Sequence, residues 1–270
     1  MTTIEWTNET FNPWQGCTKV SPGCLNCYAA TLAQRNLRGE GFNVKWGKGE
    51  RRIRNSDEYW KKPYAWDRRA KKNGIRIKVF AASMADVFDD EVDPSWRSDF
   101  WNVVRDTPNL DWQVLTKRPQ NILEMLPIDW GEGWNNVWLG TSVEDQTRAD
   151  ERIPILSSVP ARIRFLSVEP LLGPVNLNLD DKIGWVICGG ESGKGYRPMQ
   201  PEWALSVRDQ CIAAKTSFFF KQWGTANKKF AGKLLEGMEW NEFPESCLGK
   251  VVRIPCEGIR KTPRRRKSNR

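Results

Sequence analysis

The chain contains no histidine. Imidazole is therefore absent as a metal ligand, and a closed tetrahedral zinc site would have to complete its four ligands from cysteine and carboxylate alone. There is no apolar run of membrane-spanning length, and the start Met1-Thr-Thr-Ile-Glu5 lacks the charged-then-apolar order of a secretory signal. These absences predict a cytosolic protein with no membrane partner. In a reducing compartment the seven cysteines are not a disulfide framework. Cys188, Cys211, Cys247 and Cys256 are too dispersed for a motif and read as buried thiols.

The other three cysteines are clustered. Cys17-Thr-Lys-Val-Ser-Pro-Gly-Cys24-Leu-Asn-Cys27 places three thiols within eleven residues, and Pro22 and Gly23 forbid a continuous helix there and favour a tight loop. Thiolates are soft ligands that select zinc, copper(I) or iron–sulfur clusters. Three thiolates without a nearby fourth ligand leave a structural zinc site incomplete. On a [4Fe–4S] cluster the same deficit leaves one iron open, the condition for binding and reducing S-adenosylmethionine (SAM).

Length and charge bound the rest. At 270 residues the chain reads as one domain over residues 1–259 with a basic tail at 260–270. Lys and Arg total 42 against 33 Asp and Glu, a net charge of +9, as expected of a chain that meets a polyanion. The tail supplies much of this excess and reads equally as a solvated segment or a nucleic-acid contact. An insertion at about 42–70 interleaves Trp46, Tyr59, Trp60, Tyr64 and Trp66 with lysines and arginines. Such a pattern suits base stacking and phosphate neutralisation, or ordinary packing beneath a long insertion.

Periodicity predicts a helix over Tyr28 to Arg38, ended by Gly39 and Gly41. From Arg76 onward short apolar runs alternate with helix-length segments. The runs are Ile77–Ala81, Trp112–Leu115, Val137–Leu139, Ile163–Leu166, Trp185–Cys188 and Ser217–Phe220; the helices are placed at Pro94–Arg105, Pro119–Leu126, Asp145–Leu156 and Pro201–Lys215. With the N-terminal segment this makes about seven strands in parallel βαβ units, a complete or nearly complete parallel β/α (TIM-like) barrel. Barrels of this kind carry their sites at the C-terminal ends of the strands. Those ends are polar here: Ser83 and Asp86, Lys117 and Arg118, Ser142 and Glu144, Glu169, Glu191, and Lys221. Ser83, Ser142 and Ser192 also suit helix N-caps.

Trp14-Gln-Gly-Cys17, Pro22-Gly-Cys24 and Cys27-Tyr-Ala, with Leu115-Thr-Lys-Arg-Pro119, Ser167-Val-Glu-Pro170, Gly189-Gly-Glu-Ser192 and Phe219-Phe-Lys-Gln-Trp-Gly224, resemble a phage-associated three-cysteine family. That family was long known only as a domain of unknown function and is similar to radical SAM enzymes, in a variant whose first cysteine gap is six residues instead of three. The resemblance runs over nearly the whole chain and implies a radical SAM barrel. Cys17, Cys24 and Cys27 would then hold a [4Fe–4S] cluster and SAM would be the second cofactor. Asp86 or Glu191 would hold SAM's ammonium, Lys117 or Arg118 its carboxylate, and Ser142 or Glu144 its ribose, with Ser83 a further polar contact at the same mouth. In radical SAM enzymes Gly-Gly-Glu often follows the second strand; here it follows the sixth, so Glu191 is equally placed to face the substrate.

Reduced by an external electron donor, the cluster would cleave SAM to a 5′-deoxyadenosyl radical that abstracts hydrogen from substrate, with Glu169, Lys221 or Tyr196 managing proton transfer. Charge, insertion and phage association point to DNA, specifically to rearrangement of an amino-acid-decorated thymine, in host cytoplasm if the gene is a phage's. The alternatives are a zinc-stabilised nucleic-acid-binding module without catalysis, and a radical SAM enzyme acting on a small metabolite or peptide.

Overall fold

A computed structural model describes residues 2–34, 44–226 and 232–244. The expectations for the tail at 260–270, for the end of the first helix and for Cys247 and Cys256 lie outside these residues. Seven strands, β1 (Glu9–Phe11), β2 (Ile77–Ala81), β3 (Leu110–Thr116), β4 (Val137–Ser142), β5 (Ile163–Val168), β6 (Ile183–Gly189) and β7 (Ser217–Gln222), pair in chain order, all parallel. The result is a mixed α/β fold built on a curled, half-barrel sheet. Each strand from β2 onward falls where the sequence places an apolar run.

Helices α1 (Tyr28–Gln34) and α2 (Lys62–Asn73) lie between β1 and β2, α3 (Pro94–Asp106) between β2 and β3, α4 (Gln146–Ser158) between β4 and β5, and α5 (Pro201–Ala214) between β6 and β7. Their ends follow local chemistry. The Asp93 and Asp145 side chains accept from the backbone N–H groups of Ser95 and Arg148, and α2 stops at Gly74, whose φ of +62° suits a residue without a Cβ. The segment expected to be helical after β3 is only a 3₁₀ turn, Pro119–Asn121, and one helical turn, Ile122–Met125. No helix covers the passage from β5 to β6 at 169–182.

Curvature is visible in the inner core. Trp6 packs 4.6 Å from Phe80 of β2 and 6.1 Å from Trp185 of β6, ring centre to ring centre. Strands β3, β4 and β5 intervene between these partners along the sheet, so one indole can touch both only if the sheet curls around it. Trp138, Phe165, Ile187 and Phe219 complete this cluster. The larger outer layer sets α3, through Phe100 and Val104, against Trp112 of β3.

Among the described residues the sheet does not close into a complete barrel, and β1 and β7 are its two edges. The outer edge of β7 is taken by the returning chain: Phe220 N–H donates to the Trp240 carbonyl at 2.8 Å and Glu242 N–H to that of Phe218 at 3.1 Å. Phe243 then packs 5.2 Å from Trp185, with the Lys78 ammonium of β2 4.3 Å from its ring centre. Phe243 thus joins side chains of β2, β6 and β7, and no eighth parallel strand is present among the described residues.

The insertion's aromatics mostly pack inward. Tyr59 stacks on Phe11 at 5.4 Å, Trp60 meets Phe11 edge-on at 5.5 Å beneath the Arg54 guanidinium, and Tyr64 and Trp66 lie against the core. Packing against the core thus engages all four, Trp60 fully and Tyr59, Tyr64 and Trp66 in part. Trp46 is the exception, since it lines the cavity described next.

Candidate functional site

A cavity of about 870 Å³ opens at the C-terminal ends of the strands, within the range of small-molecule and cofactor sites. Cys17, Cys24 and Cys27 all line it, on the loop between β1 and α1. Its floor is apolar, made by Trp6, Phe80 and Leu115. Of the strand-end residues, Ser83, Asp86, Lys117, Arg118 and Ser142 reach the lining from β2 to β4, and Glu169, Glu191 and Lys221 from β5 to β7. Glu144 and Tyr196 do not line it. Glu144 is fully buried beneath the cysteine loop, which removes it from reach of a ribose.

The cysteine loop is seated on the strand ends by three carboxylates. At its start, Asp86 accepts from Thr116 Oγ1 at 2.7 Å, from the Lys117 N–H at 3.1 Å and from Arg118 Nη1 at 3.0 Å. Arg118 in turn donates to the Thr18 carbonyl at 2.9 Å and lies 3.5 Å from Cys17 Sγ. Arg52, ion-paired with Asp89, reaches Thr18 Oγ1 at 2.7 Å from the other side.

At the loop's middle, Ser21 donates to Glu144, which also pairs with Arg152 at 2.8 Å and lies 3.6 Å from Lys117 Nζ. A Cβ on Gly23 would collide with Glu144 Cγ, so the turn needs glycine to lie this close. Near its end, Asn26 donates to Glu191 at 3.0 Å and to the Gly195 carbonyl at 2.9 Å, while Arg197 pairs with Glu191 and donates to the Pro22 carbonyl at 3.1 Å.

These contacts give Asp86, Arg118 and Glu191 partners that the sequence does not show. They are occupied in holding the loop as well as facing the cavity. Burial alone would raise the Glu191 carboxyl, but its hydrogen bonds from Arg197 and Asn26 outweigh this and hold it below the usual carboxylate range. Burial, with neighbouring Asp86, pushes the Cys17 thiol up to about 12 against the pull of Arg118.

A family model described as "Protein of unknown function (DUF5131)" matches residues 1–244. The chain belongs to this family. No curated protein and no solved structure matches it. The stretch shared with DUF5131 holds every residue of the cavity, including all three clustered cysteines and all strand ends.

Across the cavity wall, Lys221 Nζ lies 2.7 Å from Glu169 Oε1, and both side chains remain partly open to the cavity. Ser167 Oγ donates to the other Glu169 oxygen at 3.4 Å. Tyr196, expected to share proton transfer with them, does not line the cavity and is not part of this arrangement. Arg52, Asp89, Arg152 and Arg197 were not legible as site residues. Only Arg197, six residues after Glu191 in the same loop, carried a local signal.

By donor type the three thiols suit a soft metal, being unbridged, on one loop and lining one cavity with no histidine beside them, but their placement does not gather them around one centre. Among the described residues, no three His, Cys, Asp or Glu side chains are gathered closely enough to hold a metal ion.

Proposed function

We propose that this chain is a radical SAM enzyme that modifies a base in phage DNA, its specific reaction being rearrangement of an amino-acid-decorated thymine. The observation that carries the reading is the common position of Cys17, Cys24 and Cys27 in one cavity at the C-terminal ends of seven parallel strands. They would hold a [4Fe–4S] cluster. Reduced by an external one-electron donor, such a cluster supplies the electron that divides SAM into methionine and a 5′-deoxyadenosyl radical.

The chain's own residues do the rest. Lys117, Ser83 and Ser142 offer polar contacts to SAM, and Trp6, Phe80 and Leu115 offer apolar contacts for a purine or pyrimidine ring. Glu169 and Lys221 are placed to hold or move a proton at Oε1 and Nζ.

The net charge of +9 supports a nucleic-acid substrate, as does its local distribution. Lys19, Lys45, Lys48 and Lys194 are exposed, and each either lines the cavity or stands one or two positions along the chain from a residue that does. A base would enter flipped from a duplex or from a single strand.

Anaerobic iron and sulfide analysis, with electron paramagnetic resonance of the reduced protein, tests the class. About four irons per chain and a signal perturbed by SAM are expected. Zinc in their place would overturn it in favour of a binding module. Nucleoside analysis of phage DNA treated with enzyme, reductant and SAM tests the substrate, and an unchanged nucleoside profile would overturn that part alone.

A further inference from the structure

We propose that the outward face of α2 is a docking surface for the phosphate backbone of duplex DNA flanking the base that enters the cavity. The inference deepens the nucleic-acid reading above and rests on it for the identity of the substrate. Residues 45–76 hold twelve lysines and arginines against four aspartates and glutamates. Helix α2 presents much of this excess to solvent.

Lys61 at the N-cap of α2, and Lys62, Arg68, Arg69, Lys71 and Lys72 along it, are all exposed. The single acid of the helix, Asp67, is half-buried and accepts from the Asn109 N–H at 2.8 Å. At the helical period of about 3.6 residues, Lys61, Ala65, Arg68 and Lys72 fall on one stripe, with Lys62 and Arg69 on one flank and Lys71 on the other. Pro63 and Ala70 lie on the opposite, buried side. Glu58 pairs with Lys61 and Glu9 with Arg69. Among the described residues no carboxylate pairs with Lys62, Arg68, Lys71 or Lys72.

Helix stability does not account for this pattern. Like charges three or four positions apart repel, as Arg68 does with Lys71 and Lys72, and Arg69 with Lys72. Lysines in the last turn suit the negative end of the helix dipole, but Lys61 and Lys62 stand at its positive end. A polyanion offsets that repulsion and releases its own counterions on binding.

Two contacts fix how the row runs. Tyr59, just before the helix, stacks on Phe11 at the end of β1, and Arg69, in its second half, pairs with Glu9 at the start of that strand. The helix therefore descends the outer wall from the level of the cavity mouth, beside the edge strand. Lys61 and Lys72 are about 16 Å apart along it, the length of about five base pairs. No large apolar side chain of α2 is exposed, since Tyr64 and Trp66 are half-buried against the core. Single strands are held by stacking on aromatic rings and membrane surfaces by an apolar helix face, whereas a duplex backbone needs cations alone.

The test measures binding of the full chain to a duplex several helical turns long across a salt series. Arg68→Gln with Lys72→Gln should weaken binding about ten-fold or more near physiological salt and lower the log–log slope by about 1.8, or 0.9 for each phosphate released. Arg162→Gln with Lys182→Gln removes the same charge from exposed positions at the starts of β5 and β6 and should leave the slope unchanged. A wild-type slope in the Arg68 and Lys72 variant, or an equal fall in both variants, would overturn the proposal, as would a wild type that binds no duplex. Binding to phosphatidylserine vesicles that falls in the Arg68 and Lys72 variant while duplex binding does not would overturn it in favour of an anionic membrane. Product nucleoside from the same preparations keeps the two readings apart. Modified base with a salt slope indifferent to Arg68 and Lys72 would remove the docking face and leave the substrate reading standing. A slope that falls as expected with no modified base would uphold the docking face and overturn the base chemistry alone.

Discussion

Glu169, just after β5, and Lys221, near the end of β7, meet across the intervening strand β6, with Nζ 2.7 Å from Oε1. Gly189 at the end of β6 makes this possible, because a Cβ there would lie 2.8 Å from that same oxygen. Among the described residues, the pair is the acid–base couple of the cavity wall that is not engaged with the cysteine loop. Lys221→Gln should therefore lower formation of modified base by about 10²-fold or more while iron content stays unchanged. Gly189→Ala should reproduce part of that loss through displacement of Glu169. Quantifying product nucleoside and iron in the same preparations checks both, and full activity in Lys221→Gln would remove the pair from the mechanism.

Glu144 is a buried charge with fixed partners, so breaking its pairing should be costly. Arg152→Met leaves the Glu144 carboxylate without its 2.8 Å partner and should destabilise the protein by about 3–5 kcal/mol. Arg152→Met with Glu144→Leu should recover much of the stability while depriving Ser21 of its acceptor, which separates folding from loop seating. Denaturant melts of the single and double variants give the comparison. Gly23→Ala should act from the loop side, since its Cβ would collide with Glu144, and should lower iron content more than melting temperature.

Cys188 on β6 and Cys211 on α5 are fully buried, and burial raises both thiols above their ordinary range. A group that binds its proton more tightly when folded contributes stability that is complete below its unfolded pKa and is lost as pH rises above it. Stability should thus fall above about pH 8.5, with each of the two thiols contributing up to about 1.4 kcal/mol per pH unit. Denaturant melts between pH 8 and 10, repeated with Cys188→Ala and Cys211→Ala, should show a shallower decline in each variant. Equal slopes would show that these thiols are not the source.

The exposed lysines at the rim carry the nucleic-acid part of the proposal. Lys45→Glu with Lys48→Glu should weaken binding to a single-stranded oligonucleotide and flatten its salt dependence, by about 0.7 in log–log slope for each phosphate no longer neutralised. Iron content and SAM cleavage should be unchanged in this variant. Binding that is weak and insensitive to salt in the wild type would favour a small metabolite or peptide substrate.

Local pattern explains what could be foreseen. Trp185–Cys188 is apolar without alternation because its strand is covered on both faces, and that signal survives without any partner in view. The cysteine loop announced itself through Pro22 and Gly23 and through the spacing of its thiols. Contacts between distant residues left no such trace. Ser21 and Glu144 are 123 residues apart, and Arg197 and Pro22 are 175 apart, so nothing in either segment names the other. The insertion was open to two readings. Interleaved aromatics and cations look alike whether the rings face solvent or core, and the stacking of Tyr59 on Phe11 is visible only in three dimensions.

The order of residues by itself determined the seven strands, most of the helices and the clustering of three thiols at the first strand's exit, because each depends on neighbours within a few turns of chain. The tertiary structure alone decided that among the described residues the sheet stays open between β1 and β7, that Phe243 joins side chains of β2, β6 and β7, and that Asp86, Glu144 and Glu191 seat the cysteine loop. Charge pairing and ring packing act through space at a few ångströms, and only the folded chain brings those partners within that distance.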